Sequence, residues 1–253
     1  MTDDAGIEPG PGPYDAPVRV RFDEAGPDGF LRTSNVLRYA QDLAWLHSAA
    51  LGFGRDWYAE HGLTWLVRAA ELEVVAAVGV GTALTGSTQV VGFRRVWSRR
   101  RSEFRDGDGA LVAWVHIDWV LIDSRGAPTR IPASIVSRFG EGLADPSLSL
   151  GRVALGEPPE EPSRSRILVR PQELDPMDHV NNAVYADWLD EAIIAAGDPA
   201  ATRAIPRRVA IEYAAAAAPL QVLDATAWRE VNGWAFRVRA ADDDSELIRA
   251  TLV

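Results

Sequence analysis

The alternation of apolar and polar residues follows the same plan twice along the chain. Each half begins with a short alternating strand, continues through an acidic turn, and then contains one amphipathic helix and several strands. The apolar residues of the first helix recur at helical spacing between Val36 and Ala50, and those of the second between Val184 and Ala196. The repeat therefore predicts two units of the same architecture.

Caps and breakers indicate the limits of these elements. Ser34 or Asn35 is suited to begin the first helix, and Asn181 or Asn182 the second, because their short polar side chains accept hydrogen bonds from free backbone N–H groups. The alternation after each helix is typical of half-buried antiparallel strands. The expected strands lie at residues 63–78, 82–104, 110–123 and 128–135 in the first half, and at 207–214, 220–230, 234–240 and 247–253 in the second.

This order of elements predicts an α+β fold, in which one long central helix of each half is wrapped by its own antiparallel sheet. We expect the two sheets to join into one layer, because joining removes two exposed edges. Stretches rich in glycine and proline set the boundaries between the parts. The predicted parts are a flexible lead-in at residues 1–16, a first unit at 17–140, a linker at 141–165 and a second unit at 166–253.

The composition narrows the class of protein. Of the 253 residues, 47% are hydrophobic and 25% are charged, which is typical of a globular chain with a sizeable core. No apolar run is long enough for a membrane helix, and the acidic N-terminus lacks the pattern of a signal peptide. We therefore expect a cytoplasmic protein without a membrane partner. The net charge of −10 disfavours nucleic acid as a partner.

The absence of two residue types excludes several chemistries. The sequence contains no cysteine, which excludes disulfides, thiolate metal sites and a cysteine nucleophile. It contains no lysine, which excludes a Schiff base and the lysine of a phosphate-binding loop. The four histidines show no spacing typical of a metal site, so we expect none, and we expect His47 and His116 to lie in the core or at its edge.

The densest group of polar residues lies directly before the second helix, where Asp175, His179, Asn181 and Asn182 precede its apolar residues. A helix N-terminus presents unpaired N–H groups, which can bind the oxygen of a polarised carbonyl group. A nearby carboxylate could activate water or attack the carbonyl carbon, and a histidine could orient that carboxylate or transfer a proton. These four residues are the predicted catalytic group, and this chemistry needs no cofactor.

The same segment resembles the active-site stretch of hotdog-fold thioesterases. Their pattern of Asp, three residues, His-Val-Asn-Asn, two residues and Tyr is matched from Asp175 to Tyr185, and Trp188 and Glu191 fit the version of the acyl carrier protein (ACP) thioesterases. Residues 24–28, 63–68 and 119–132 resemble the N-terminal unit of that family. The resemblance implies two fused hotdog subdomains that hydrolyse a fatty or polyketide acyl-ACP, with coenzyme A thioesters as the alternative substrates.

Two positions depart from the plant members of that family. These carry an asparagine where this chain has Met177, and a catalytic glutamate at the position of Ala216. Asp178 stands where similar proteins often have glycine. Two rival functions stay open: a hotdog dehydratase or hydratase acting on acyl thioesters, and a binder of acyl groups or carrier protein without catalysis.

The first half reads as a degenerate copy of the site that serves acyl binding. Asp28 aligns with Asp175 after a one-residue slip if Tyr39 is matched with Tyr185, and no histidine stands near Asp28. Large aromatic side chains are suited to line an apolar tail. The predicted substrate-binding residues are Trp45, Trp65, Trp119 and Tyr185.

Clusters of arginine indicate where an acidic carrier protein could dock. Guanidinium groups bind carboxylates and the phosphate of a phosphopantetheine arm. The alternative interpretation is a solvated strand face that pairs with nearby acids. The first cluster is Arg94, Arg95, Arg99, Arg100 and Arg101, and the second is Arg203, Arg207 and Arg208. Within the first cluster, the predicted docking residues are Arg99, Arg100 and Arg101. The expected partner is an acyl-ACP or a coenzyme A thioester, and the chain could form a homodimer.

Overall fold

A computed structural model describes residues 12–253, which form one mixed α/β structure around a large antiparallel sheet. The helices of these residues are α1 (Thr33–Ala50), α2 (Arg55–His61), α3 (Ala133–Phe139) and α4 (Val184–Ala195). Their strands are β1 (Tyr14–Arg19), β2 (Leu63–Val74), β3 (Ala83–Phe93), β4 (Trp97–Arg105), β5 (Leu111–Asp123), β6 (Ser163–Leu168), β7 (Arg207–Tyr213), β8 (Val222–Glu230), β9 (Gly233–Ala240) and β10 (Glu246–Leu252).

The two halves of the sheet have the same strand order and meet edge to edge, as the sequence predicts. The order is β1-β3-β4-β5-β2 in the first half and β7-β10-β9-β8-β6 in the second. Strands β2 and β7 pair antiparallel at the junction, with Ala69 opposite Glu212 and Val74 opposite Arg207. Each half thus gives its equivalent edge strand to the joint.

The larger apolar core is shared between the halves. Helix α1 packs against β1, β3, β4 and β5, helix α4 packs against β6, β8 and β9, and the two helices contact each other. One apolar cluster contains Leu37 and Leu72 of the first half together with Leu189 and Ile211 of the second. The pairing of β2 with β7 and the contact between the two helices therefore join both halves around one core.

Several predicted element limits are corrected. Helix α1 begins at Thr33, before its expected caps, and α4 begins at Val184, after them. The strand expected at 82–104 is two strands, β3 and β4. No strand runs through the described residues 128–135, because helix α3 begins at Ala133, and the seven-residue helix α2 had no predicted counterpart.

The segment expected to be a linker lies against the outer face of the sheet. Backbone N–H groups of Gly151, Val153 and Gly156 each donate a hydrogen bond to a carboxylate. The acceptors are Asp118 on β5, Glu212 on β7 and Glu230 on β8, at 2.7, 3.1 and 2.7 Å. These three acids attach the connection to both halves of the sheet.

The predicted boundary of the N-terminal lead-in is also corrected. Strand β1 begins at Tyr14, so the predicted limit of the lead-in at residue 16 lies inside a strand, and residues 1–11 lie outside the described part of the chain. Among residues 12–253, no helix is both long enough and apolar enough to cross a membrane.

Candidate active site

The predicted catalytic residues lie on a tight turn that leads into α4. The Asp175 N–H donates to the carbonyl oxygen of His179 at 2.8 Å, and the Asp178 N–H donates to that of Asp175 at 3.0 Å. Asp178 has a φ of +61°, a left-handed conformation that glycine, asparagine and aspartate adopt most easily. This conformation explains why glycine suits the position, and the exposed Asp178 side chain is not needed to form the turn.

The Asp175 carboxylate is held by the backbone of its own turn. Its Oδ1 accepts hydrogen bonds from the N–H groups of Met177, at 2.9 Å, and of His179, at 3.5 Å. Its Oδ2 accepts none from residues 12–253. The carboxylate is half-buried and lines a cavity, so one oxygen is oriented by the turn while the other is available to a substrate or water.

The imidazole of His179 does not orient Asp175, which was one of its predicted roles. The backbone N–H of His179 contacts the carboxylate, and its ring makes no hydrogen bond with residues 12–253. The half-buried ring lines the same cavity as Asp175. It therefore remains available for proton transfer.

The two asparagines organise the start of α4. Asn181 Oδ1 accepts a hydrogen bond from the Ala183 N–H at 2.9 Å, and the Asn182 side-chain amide donates to Gln41 Oε1 of α1 at 3.1 Å. The backbone N–H of Asn182 has no acceptor among residues 12–253. Since Asn182 also lines the cavity, its N–H is a candidate donor to a substrate carbonyl oxygen.

Glu173, which the sequence interpretation did not select, fixes the turn from behind. Its carboxylate accepts hydrogen bonds from the Arg170 N–H at 2.7 Å and from the indole of Trp188 at 3.2 Å. Its carbonyl oxygen accepts from the Asn181 N–H at 2.9 Å. No signal in the sequence indicates this contact, because Glu173 and Trp188 are brought together only by the path of the turn between them.

The cavity, of about 410 Å³, is formed by both halves of the chain. Asp175, His179, Asn182 and Tyr185 line it from the second half. The lining residues of the first half include Leu66, Val67, Trp97 and Val120. A polar group from one half thus faces an apolar wall from the other.

Two buried tyrosines support the wall of this cavity. The Tyr185 hydroxyl accepts a hydrogen bond from the Ala217 N–H at 3.0 Å, and the Tyr213 hydroxyl donates to the Asn182 carbonyl oxygen at 2.8 Å. Burial raises the pKa of Tyr185 to about 12, so it stays neutral and acts as a positioning group. Tyr213 and Gln41 were not predicted, because alternation and helix patterns give no information on such long-range contacts.

The two departures from the plant pattern also lie at this cavity. Met177 is partly exposed on its rim, and Ala216 lines it together with Ala214 and Ala215. No second carboxylate comes from these positions, so Asp175 is the one acid that lines the described cavity.

The predicted acyl-binding tryptophans have different surroundings. Trp119 lies opposite Val67 of the cavity wall, and its buried indole N–H has no partner among the described residues. The indole of Trp65 donates to Tyr58 at 2.9 Å in a smaller apolar cluster. The prediction for Trp45 is wrong, because it is 45% exposed on the solvent face of α1.

The predicted docking clusters are only partly at the surface. Arg100 faces the core because alternation along β4 turns it inward, so its assignment to a dock is wrong; it is 6% exposed and contacts His47 Nδ1 at 2.9 Å. Arg99 is paired with Asp118, and Arg101 with Glu103.

In the second cluster Arg207 is equally buried, which removes it from any docking surface. Arg203 pairs with Asp28 at 3.4 Å and Arg208 with Glu71 at 2.5 Å. Docking by the partly buried Arg99 and Arg101, or by the exposed Arg203 and Arg208, stays a prediction.

The first half contains the same turn before α1. The Gly26 N–H donates to the Phe30 carbonyl oxygen at 2.8 Å, and the Gly29 N–H donates to that of Gly26 at 2.9 Å. Gly29 has a φ of +81°. Glu24 supports this turn by accepting from the Arg21 N–H at 2.8 Å and from the Tyr39 hydroxyl.

These hydrogen bonds set the correspondence between the halves. Gly26 occupies the place of Asp175 and Phe30 that of His179. The predicted alignment of Asp28 with Asp175, and of Tyr39 with Tyr185, is therefore wrong. The slip arose because the sequence does not reveal which residues close the turn.

Comparison with known proteins agrees with this arrangement. Residues 12–139 match the acyl-ACP thioesterase N-terminal domain, and residues 156–248 match the acyl-ACP thioesterase C-terminal domain. No curated protein sequence matches the chain. The chain belongs to the acyl-ACP thioesterase family, and it is a thioester hydrolase by that membership.

Solved structures share the whole fold at low sequence identity. A protein assigned as an oleoyl thioesterase from Lactobacillus plantarum is 20% identical, with a TM-score of 0.82 and coverage of 95% of this chain and 94% of that one. The 12:0-ACP thioesterase from Umbellularia californica is 19% identical, with a TM-score of 0.78 and coverage of 95% and 96%. An acyl-ACP thioesterase from Bacteroides thetaiotaomicron is 16% identical, with a TM-score of 0.78 and coverage of 95% and 97%.

Proposed function

We propose that this protein hydrolyses a fatty or polyketide acyl-ACP at the cavity of Asp175, and that its halves are two fused hotdog units. The observation that carries the proposal is the pairing of an oriented carboxylate with a free helix-terminal N–H group beside an apolar wall. A thioester needs these three elements: a base or nucleophile, a donor to the carbonyl oxygen, and space for the acyl chain.

In the proposed reaction, Asp175 removes a proton from water as the water oxygen attacks the thioester carbon. The N–H of Asn182 stabilises the oxyanion of the tetrahedral intermediate. The intermediate then collapses, the carbon–sulfur bond breaks, and the leaving thiolate takes a proton from the imidazolium form of His179. The proton that Asp175 took from water returns to His179, through water, before the next turnover. In the alternative route Asp175 attacks the carbonyl carbon itself, expels the thiol and forms an anhydride that water then cleaves.

Single turnover in H₂¹⁸O tests whether water attacks the carboxyl carbon of Asp175, which only the anhydride route allows. Attack on the substrate carbon of the anhydride would label the released acid, as the base route does. If Asp175 acts as a base, the released acid carries one ¹⁸O atom after the first turnover. If Asp175 is the nucleophile and water attacks the side-chain carboxyl carbon of Asp175 in the anhydride, the label enters the Asp175 side chain instead. Mass spectrometry of the acid and of the peptide that contains Asp175 reads out both products.

The function itself is tested by replacing Asp175→Asn and measuring thiol release from acyl-ACP. We expect kcat to fall by about 10²- to 10⁴-fold while binding is retained, because general-base assistance is lost. Asp178→Asn is the matched control: it is an exposed carboxylate of the same turn, and asparagine tolerates its left-handed backbone. Wild-type turnover in the Asp175 variant would refute the proposal.

The rival functions give different products. A dehydratase or hydratase would change the acyl chain and leave the thioester intact, so thiol would not be released. A binder would retain acyl-ACP without turnover. A panel of acyl-ACP and acyl-coenzyme A substrates, assayed for thiol, separates these results and identifies the preferred carrier.

A further inference from the structure

A second cavity, of about 540 Å³, lies at the start of α1 and shares no lining residue with the cavity of Asp175. Its apolar wall includes Val36, Leu84 and Phe104 of the first half. Two ionisable side chains also line it: the half-buried Asp190 of α4, whose Oδ1 is buried, and the buried Arg207 of β7. The proposed reaction uses neither of them.

Asp190 lacks a hydrogen-bond partner. Its Oδ1 is buried and has no donor among residues 12–253. Burial raises the pKa of Asp190 to about 7, against the opposing effect of Arg207 and together with the repulsion of Asp187. Near neutral pH this carboxyl group can therefore share a proton with a ligand.

Arg207 is a buried cation that lacks a carboxylate partner. Its Nε donates to Thr33 Oγ1 at 2.8 Å and its Nη1 to the Ala204 carbonyl oxygen at 3.3 Å. Within the described part of the chain no carboxylate oxygen lies within 4 Å of its guanidinium nitrogens. A buried charge without a close counter-ion is unfavourable, so a ligand anion would be stabilised here.

The other acids around the cavity are exposed or already paired. Asp28 pairs with Arg203 at 3.4 Å, and Asp187 pairs with Arg38 at 2.7 Å. Glu191 is exposed at the rim. The cavity thus offers one carboxyl group without a hydrogen-bond donor and one guanidinium group without a carboxylate partner, next to an apolar wall.

We propose that this cavity binds a long-chain carboxylic acid, with its carboxylate on Arg207, a proton shared with Asp190, and its chain along Val36, Leu84 and Phe104. A carboxylate is the head group that supplies an acceptor to the guanidinium and completes a hydrogen bond with a protonated acid. The choice of a long-chain acid rests on the proposed function, because hydrolysis of a fatty acyl-ACP at Asp175 releases such an acid. The second cavity would then retain product away from the catalytic turn.

The test is calorimetric titration of the full chain with sodium dodecanoate. We expect Arg207→Met to lose one binding site of the wild type, or to weaken it at least tenfold. Arg208→Met is the matched control, because this neighbouring arginine pairs with Glu71 and does not line the cavity. Equal stoichiometry and affinity in the wild type and in Arg207→Met would overturn the proposal.

Ile194→Trp provides a second variant that leaves the buried groups in place. Ile194 is partly exposed on α4 and lines the cavity, so the larger side chain should obstruct it and remove the same site. If both Arg207→Met and Ile194→Trp fold, as shown by cooperative thermal melting, and both still bind dodecanoate like the wild type, the site does not exist.

The outcome is separable from that of the proposed function. Asp175→Asn should retain the Arg207-dependent site while it loses hydrolysis. A loss of the Arg207-dependent site in Asp175→Asn would place the ligand at the catalytic turn and contradict the second site.

Discussion

The turns before α1 and α4 have the same backbone and different chemistry. In each turn, the N–H of the first residue donates to the carbonyl oxygen of the fifth, and the fourth residue has a left-handed backbone. A glutamate that precedes each turn accepts a backbone hydrogen bond and supports it. Gly26 and Phe30 stand in the first turn where Asp175 and His179 stand in the second. The same turn thus forms with and without these two side chains, and the proposed catalysis assigns the difference between the halves to Asp175 and His179.

The largest effect is expected when the second turn receives the glycine of the first. Asp175→Gly should lower kcat by about 10³-fold or more, because it removes the proposed base and leaves a turn that Gly26 shows to be stable. Thiol release from acyl-ACP measures the loss. Unfolding of the variant at room temperature would instead show that the carboxylate is needed to build the turn.

The exchange at the next position is expected to be smaller. His179→Phe, which copies Phe30, should reduce kcat by about 10²-fold, since the thiolate loses its proton donor. Phe30→His is the reciprocal variant and should leave thiol release unchanged. An unaffected rate in His179→Phe would assign the proton transfer to another group or to water.

The supporting glutamates allow stability to be separated from catalysis. Glu24→Ala leaves the Arg21 N–H and the half-buried Tyr39 hydroxyl without their acceptor, and should lower the free energy of unfolding by about 2–3 kcal/mol. Urea denaturation measures this change. Glu173→Ala should be destabilised similarly and should also lower kcat, whereas kcat of Glu24→Ala should stay near wild type below its melting temperature.

The smallest effect concerns a histidine that has no counterpart in the second half. His47 lies eight residues after Tyr39, whereas Ala196 lies eight residues after Trp188. Burial, and secondly Arg100, lowers the pKa of His47 to about 4 from an ordinary value of 6.5. Because the unfolded chain binds the proton first, stability is lost as the pH falls from 6.5 towards 4.

That loss should reach about 2 kcal/mol at pH 5 relative to pH 7. Urea denaturation of the wild type and of His47→Gln at both pH values isolates it as the difference between the two proteins, since glutamine can still accept from Arg100 and does not titrate. An identical pH dependence of the two proteins would contradict the assignment.

The repeat and the turn before α4 could be predicted from the sequence because both are local, whereas the catalytic role of that turn stays a prediction. Helical spacing identified α1 and α4, and the run from Asp175 to Asn182 marked the turn. Arg100 was misplaced because three consecutive arginines give no apolar alternation from which to read the inward face. The alignment of Asp28 failed for a related reason, since the closing hydrogen bonds of Gly26 are invisible in the sequence.

The contacts between distant segments were also beyond local pattern. The approach of Gln41 to the start of α4 depends on how the two helices pack, and the attachment of Gly151 to Asp118 depends on the path of the connection over the sheet. The short helices α2 and α3 span about two turns each, which is too little for periodicity to distinguish them from loops.

The pairing of β2 with β7 is the seam between the two halves, and the rate of turnover should depend on the register of this pairing. Val67 on one side of the seam and Asp175 on the other line the same cavity, although no loop links them directly. A slip of one residue would displace the wall by about 3.3 Å and reverse its inward and outward faces. A variant that shifts this register should therefore lose catalytic activity at temperatures well below its melting temperature.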